Sequence, residues 1–139
     1  MKVDDATFAK IKDQFKAGCL SEDEILTTIK TCFNETGYLL DTHTAIGYGV
    51  LKQYQQETGD HTKTVLLSTA SPYKFPESVY QAIYGEELDV YTAIDKLSEK
   101  TGVPVPQALA GIKEREVLHK EAIDKTEIIS FIKSEIEAM

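Results

Sequence analysis

Apolar positions recur at helical spacing over most of this chain and close up into continuous runs at two places only. In "DDATFAKIKDQFKAG" the spacing puts Phe8, Ile11 and Phe15 on one face, with Gly18 as the stop. "SEDEILTTIKTCFNETG" predicts a second helix, started by Ser21 as N-cap with Glu24 three positions on to complete a capping box, and ended by Gly37. "HTAIGYGVLKQYQQETG" predicts a third, stopped by Gly59. "FPESVYQAIYG" places Pro76 in a first turn, where its missing amide costs nothing. "EELDVYTAIDKLSEKTG" repeats Leu88, Tyr91, Ile94 and Leu97, "VPVPQALAGIKERE" predicts a short helix after two prolines, and "KTEIISFIKSEIEAM" closes the chain on Ile128, Ile129, Ile132 and Ile136.

The continuous runs are "YLLD", Tyr38 to Asp41, and "TVLLS", Thr64 to Ser68, with the third helix between them. Two short apolar runs joined by a crossover helix predict a parallel βαβ unit. "HKEAID", from His119 to Asp124, is a candidate edge strand. The expected fold class is therefore α/β and helix-rich, a small parallel sheet of two or three strands flanked by about six helices. So small a sheet is marginal alone, and parallel sheets are normally covered on both faces. The shortfall predicts self-association or a missing upstream region.

Composition narrows the function classes without choosing one. The 139 residues, 42% hydrophobic and 27% charged, suit one soluble domain covering 1–139, with no repeat or linker to divide it. A net charge of −8 with no basic patch argues against nucleic acid, whose phosphates need clustered cations. Arg115 is the only arginine, so an anionic substrate must be held largely by other groups. No apolar run approaches the roughly 18 residues of a membrane span, and "MKVDDATFAK" has no signal-peptide core, which predicts no membrane partner and a cytoplasmic location. Cys19 and Cys32 fit no ligand spacing, and His61 and His119 have no partner at ligand spacing, so no metal site is expected.

Two stretches carry chemistry. "VLLSTASPYKFPESV" ends an apolar run in Ser68 and Thr69, breaks at proline and starts a helix; hydroxyls at the carboxyl end of a parallel strand either face a ligand or cap the next turn. Alternation turns Ser68 to the opposite face from Thr69. Lys74, between Tyr73 and Phe75, reads as a solvated cation without a catalytic role. In "DTHTA", Asp41 and His43 fall on one side of an extended chain and suit an acid–base pair. The plainer alternative has Thr42 or Thr44 capping the helix while Asp41 and His43 satisfy its free amides.

Taken together, "GYLLDTHTAIGYGVL" (Gly37 to Leu51) and "VLLSTASPYKFPESV" (Val65 to Val79) resemble the C-terminal part of threonine synthase, in order and in separation. The family typically has a strand leading into Asp-Pro-His-Thr-Ala and a later strand ending in Leu-Ser-Thr-Ala-His-Pro-Ala-Lys-Phe-Pro. "FKAGCLSEDEILTTIKTCFNETGYLLD" resembles the segment before them, so the resemblance covers nearly the whole chain. It implies part of a larger tryptophan-synthase-β-like fold and a pyridoxal-phosphate lyase of threonine biosynthesis, converting O-phosphohomoserine and water to threonine and phosphate. Thr69 takes the position whose hydroxyl bonds the cofactor's pyridine nitrogen, and Asp41, His43, Thr44 and Ser68 become active-site-proximal. Thr42, Ser71 and Tyr73 stand where the family usually has proline, histidine and alanine, which puts any contribution of that histidine in doubt.

The family's Schiff-base lysine and glycine-rich phosphate loop lie upstream of these motifs, so the chain is expected to be a C-terminal fragment. It should hold no catalytic residue, bind no cofactor and catalyse nothing alone, with the missing N-terminal portion as partner. The alternative is a non-enzymatic interaction module that keeps the fold and pairs with another chain.

Overall fold

The computed structural model describes residues 3–118 and 120–138. Among the described residues it has six α-helices: α1 (Asp5–Gln14), α2 (Glu22–Thr36), α3 (Thr42–Thr58), α4 (Pro76–Tyr84), α5 (Val90–Thr101) and α6 (Ile128–Ala138). Two single-turn 3₁₀ segments lie at Pro72–Lys74 and Ile112–Glu114.

Side chains decide where these helices begin. Asp4 accepts the Thr7 amide at 2.8 Å to start α1. Ser21 and Glu24 form the expected reciprocal box on α2, the Ser21 amide reaching Glu24 Oε2 at 2.6 Å. Asp89 accepts the amides of Tyr91 and Thr92 to start α5. Such bonds favour the ionised carboxylate and hold Asp4, Glu24 and Asp89 below their ordinary values, the Thr92 side chain contributing most at Asp89. Gly37 ends α2 at φ 72° and Gly59 ends α3 at φ 69°, a left-handed conformation that glycine adopts without strain.

The core gathers around α4. Its buried Val79, Tyr80, Ala82 and Ile83 lie among Ile29 and Cys32 of α2, Ala93, Ile94 and Leu97 of α5, and Leu39, Leu40 and Ala45. α2 packs against both α3 and α4, and α4 packs against α5. Tyr73, only 2% exposed, extends this core through its ring and donates its hydroxyl to the Val103 carbonyl, tying the turn before α4 to the segment after α5.

The expected parallel sheet is not formed: the described residues contain no strand. The predicted crossover helix is there as α3, but neither of its flanking runs pairs. Leu39 and Leu40 bury their side chains against helices instead. Val65 and Leu67 are 83% and 74% exposed, so the apolar burial that stabilises a parallel strand is lacking on that side. Of the candidate strand at 119–124, His119 lies outside the described residues, and 120–124 form none.

Two helix expectations also change. α1 ends at Gln14, capped by Phe15 and short of Gly18. Gly18 instead sits against α3, where a Cβ would come within 2.8 Å of Val50. The stretch after the two prolines forms turns and a 3₁₀ segment rather than an α-helix. α1 and α6 bury no residue, leaving Phe8, Ile11, Ile129 and Ile136 on open faces.

Candidate functional site

The two chemistry-bearing stretches meet at the N-terminus of α3. Asp41, 1% exposed, is the N-cap, an aspartate just before the helix being a preferred cap. Its Oδ1 accepts the amides of His43 at 2.9 Å and Thr44 at 3.2 Å, and its Oδ2 accepts the Thr44 hydroxyl. Asp41 thus holds the position expected for Thr42 or Thr44.

Thr44 is itself buried, at 4% exposure. Its hydroxyl proton is committed to Asp41, which leaves the oxygen's lone pairs free, and that oxygen accepts the Thr69 amide at 3.4 Å. This bond joins the two motifs across 25 residues of sequence.

Asp41 and His43 do approach, but not as an acid–base pair. His43 Nδ1 lies 3.7 Å from Asp41 Oδ1, beyond hydrogen-bond reach, and that oxygen is already shared by two amides. The imidazole, 60% exposed, rests against Phe75 with ring centroids 4.9 Å apart. It borders a cavity of about 240 Å³ with Leu26, Ile46 and Phe75. Ser68 turns its hydroxyl to the Ala70 carbonyl at 3.4 Å and does not join the Asp41 cluster. Ser71 caps the 3₁₀ turn by accepting the Tyr73 amide at 3.2 Å, and Lys74 is exposed on that turn.

Thr69 is exposed, and no hydrogen bond engages its hydroxyl among the described residues. Sequence reasoning named every member of the Asp41, Thr44 and Thr69 chain but missed its connection. The available signal was a Thr placed three residues after an Asp cap, the spacing at which two such side chains meet. The tie from Tyr73 to Val103 left no local signal, since it joins residues 30 positions apart.

With this geometry in place, comparison with known proteins identifies the class. The family described as "Threonine synthase, C-terminal" matches residues 44–132. The chain belongs to that family.

Among relatives, threonine synthase of Pseudomonas aeruginosa is 31% identical over 62% of this chain and 18% of its own length. Threonine synthase-like 1 of Mus musculus is 32% identical over 77% of this chain and 14% of its own. The crystal structure of pyridoxal-phosphate-bound threonine synthase from Brucella melitensis superposes with a TM-score of 0.59 at 30% identity, covering 84% of this chain and 21% of that one. The chain therefore spans between about a tenth and a fifth of the length of these proteins.

The described residues fit such a cofactor in part. The free Thr69 hydroxyl suits a ring heteroatom. For a phosphate group, the N-termini of α1, α2, α3 and α5 are already filled by the chain's own Asp4, Ser21, Asp41 and Asp89, while α4 begins at Pro76 with no side-chain cap. Gly111, ahead of the second 3₁₀ segment, faces the Glu114 carboxylate, and every described lysine is exposed to solvent. Among the described residues, the Thr69 hydroxyl is thus the group that suits the cofactor ring, and no described lysine is buried as an anchoring lysine would be.

Proposed function

We propose that this chain supplies the C-terminal part of a cytoplasmic, pyridoxal-phosphate-dependent threonine synthase, the lyase of threonine biosynthesis that converts O-phosphohomoserine and water to threonine and phosphate. The observation carrying this reading is the Thr69 hydroxyl, free and exposed on a segment whose backbone is bonded to the N-terminus of α3. In this reading the cofactor is an electron sink whose strength its protein surroundings tune. Thr69 would supply a neutral hydroxyl to hold the ring nitrogen, and a neutral partner there would temper the electron sink the cofactor supplies when bound. Asp41 and Thr44 stand behind it as structural support, and neither handles substrate. The lysine that anchors the cofactor and the loop that cradles its phosphate come from the portion of the enzyme that this chain does not include. The isolated chain therefore neither holds the cofactor nor turns over substrate.

Complementation tests this. Pseudomonas aeruginosa threonine synthase truncated before its own matching region should release no phosphate from O-phosphohomoserine, and mixing it with this chain should restore release. The Thr69→Val variant should stay folded and restore at least tenfold less. Failure of the wild-type chain to restore any release, with both pieces soluble, would remove the reading in favour of an interaction module.

A further inference from the structure

The segment 65–69 carries the candidate hydroxyl yet belongs to no helix or strand, so something else must fix its course. Two contacts with α3 bear on it. The Thr69 amide is held by Thr44 Oγ1 at 3.4 Å, and Leu66 Cδ1 lies 2.9 Å from where a Cβ on Gly47 would stand. Positions 44 and 47 are three apart, and therefore neighbours on one helix face. Positions 66 and 69 are likewise three apart in the segment, which crosses that face in the opposite sense: 69 over 44, then 66 over 47.

The polar contact depends on a third residue. Thr44 accepts the Thr69 amide with lone pairs left over because its proton is committed to the buried Asp41. Both oxygens of that carboxylate act as acceptors, so the hydroxyl has one orientation available to it.

We infer that Thr44, oriented by Asp41, is a positioning residue that sets the register of segment 65–69 on α3 and so places the Thr69 hydroxyl. The inference deepens the function proposed above, because the value of that placement rests on Thr69 facing the cofactor. Removing the Thr44 hydroxyl frees the Thr69 amide and leaves the Leu66 contact without its polar counterpart, so the segment slides. Serine at position 44 keeps the hydroxyl and hence the register.

Amide hydrogen exchange on the isolated chain, followed by NMR, tests this without reference to catalysis. In the wild type the Thr69 amide should exchange about tenfold more slowly than the flanking Ser68 and Ala70 amides, after correction for sequence. Thr44→Val should abolish that protection and shift the Thr69 side-chain resonances while leaving the Leu97 amide protected. Thr44→Ser should keep both near wild type. Equal exchange at Thr69 in the wild type and in a folded Thr44→Val variant overturns the inference. Should Thr44→Val fail to fold, a wild-type or Thr44→Ser chain whose Thr69 amide exchanges as fast as Ser68 overturns it equally. Failed complementation alongside a protected Thr69 amide would instead strike the proposed function and leave the register device standing.

Discussion

Asp41 shows how one side chain can be structural and near a functional site at once. A buried carboxylate is tolerated only when its oxygens are satisfied, and here two amides and a hydroxyl satisfy them at a helix N-terminus, where the dipole favours negative charge. Replacing it removes a cap and leaves the Thr44 hydroxyl buried without its partner. Asp41→Ala should therefore cost about 2 kcal/mol in urea denaturation, while Asp41→Asn, which keeps one acceptor oxygen for the amides, should cost about half as much. Aspartate before a helix is a strong local signal, and the sequence placed Asp41, His43 and Thr44 together at this turn. What it left open was which side chain caps the turn, because Asp and Thr are both good N-caps and only the folded geometry chooses between them. His43 was legible as a neighbour of Asp41 and not as its non-partner, since the competition of two amides for Oδ1 is invisible in residue spacing.

At the level of elements, helices were legible because their signals are local. Ser21 with Glu24, Gly37, Gly59 and Pro76 all act within one turn of where they stand. The runs 38–41 and 64–68 were read as strands on apolarity alone, but a strand is stabilised by what lies beside and across from it. Leu39 and Leu40 found helices to pack on, whereas Val65 and Leu67 stayed in solvent. The two environments predict opposite sensitivities. Leu97→Ala, at 0% exposure in the α4 and α5 contact, should cost about 2 to 5 kcal/mol, and Leu67→Ala within about 0.5, both read from denaturant midpoints at constant slope. Equal losses would show that segment 65–69 is packed in solution.

On the scale of the molecule, the core joins α2, α3, α4 and α5, while α1 and α6 attach without burying a residue. Amphipathic spacing in "DDATFAKIKDQFKAG" and "KTEIISFIKSEIEAM" pointed to these two helices, though not to the end of α1, and said nothing about whether their apolar faces meet the core. Periodicity reports that a face exists; it does not report a neighbour. Deleting 128–139 should accordingly leave the unfolding free energy of the remainder within about 0.5 kcal/mol, measured by the same denaturation. A larger loss would mean that α6 folds back on the core. No helix among the described residues is long and apolar enough to cross a membrane, so the open faces of α1 and α6 do not extend to spans.

The unpaired course of 65–67 has a cost for the chain in concentrated solution. Backbone that is apolar, outside any ladder and open to water is the kind of template on which cross-β stacking begins, and the exposed Val65 and Leu67 on either side of Leu66 offer it a seed. Lys63 on one side and Pro72 on the other act as gatekeepers, charge repelling a second copy and the proline ring denying it a continuous run. At high concentration, self-association should therefore begin at this short span rather than in the packed interior.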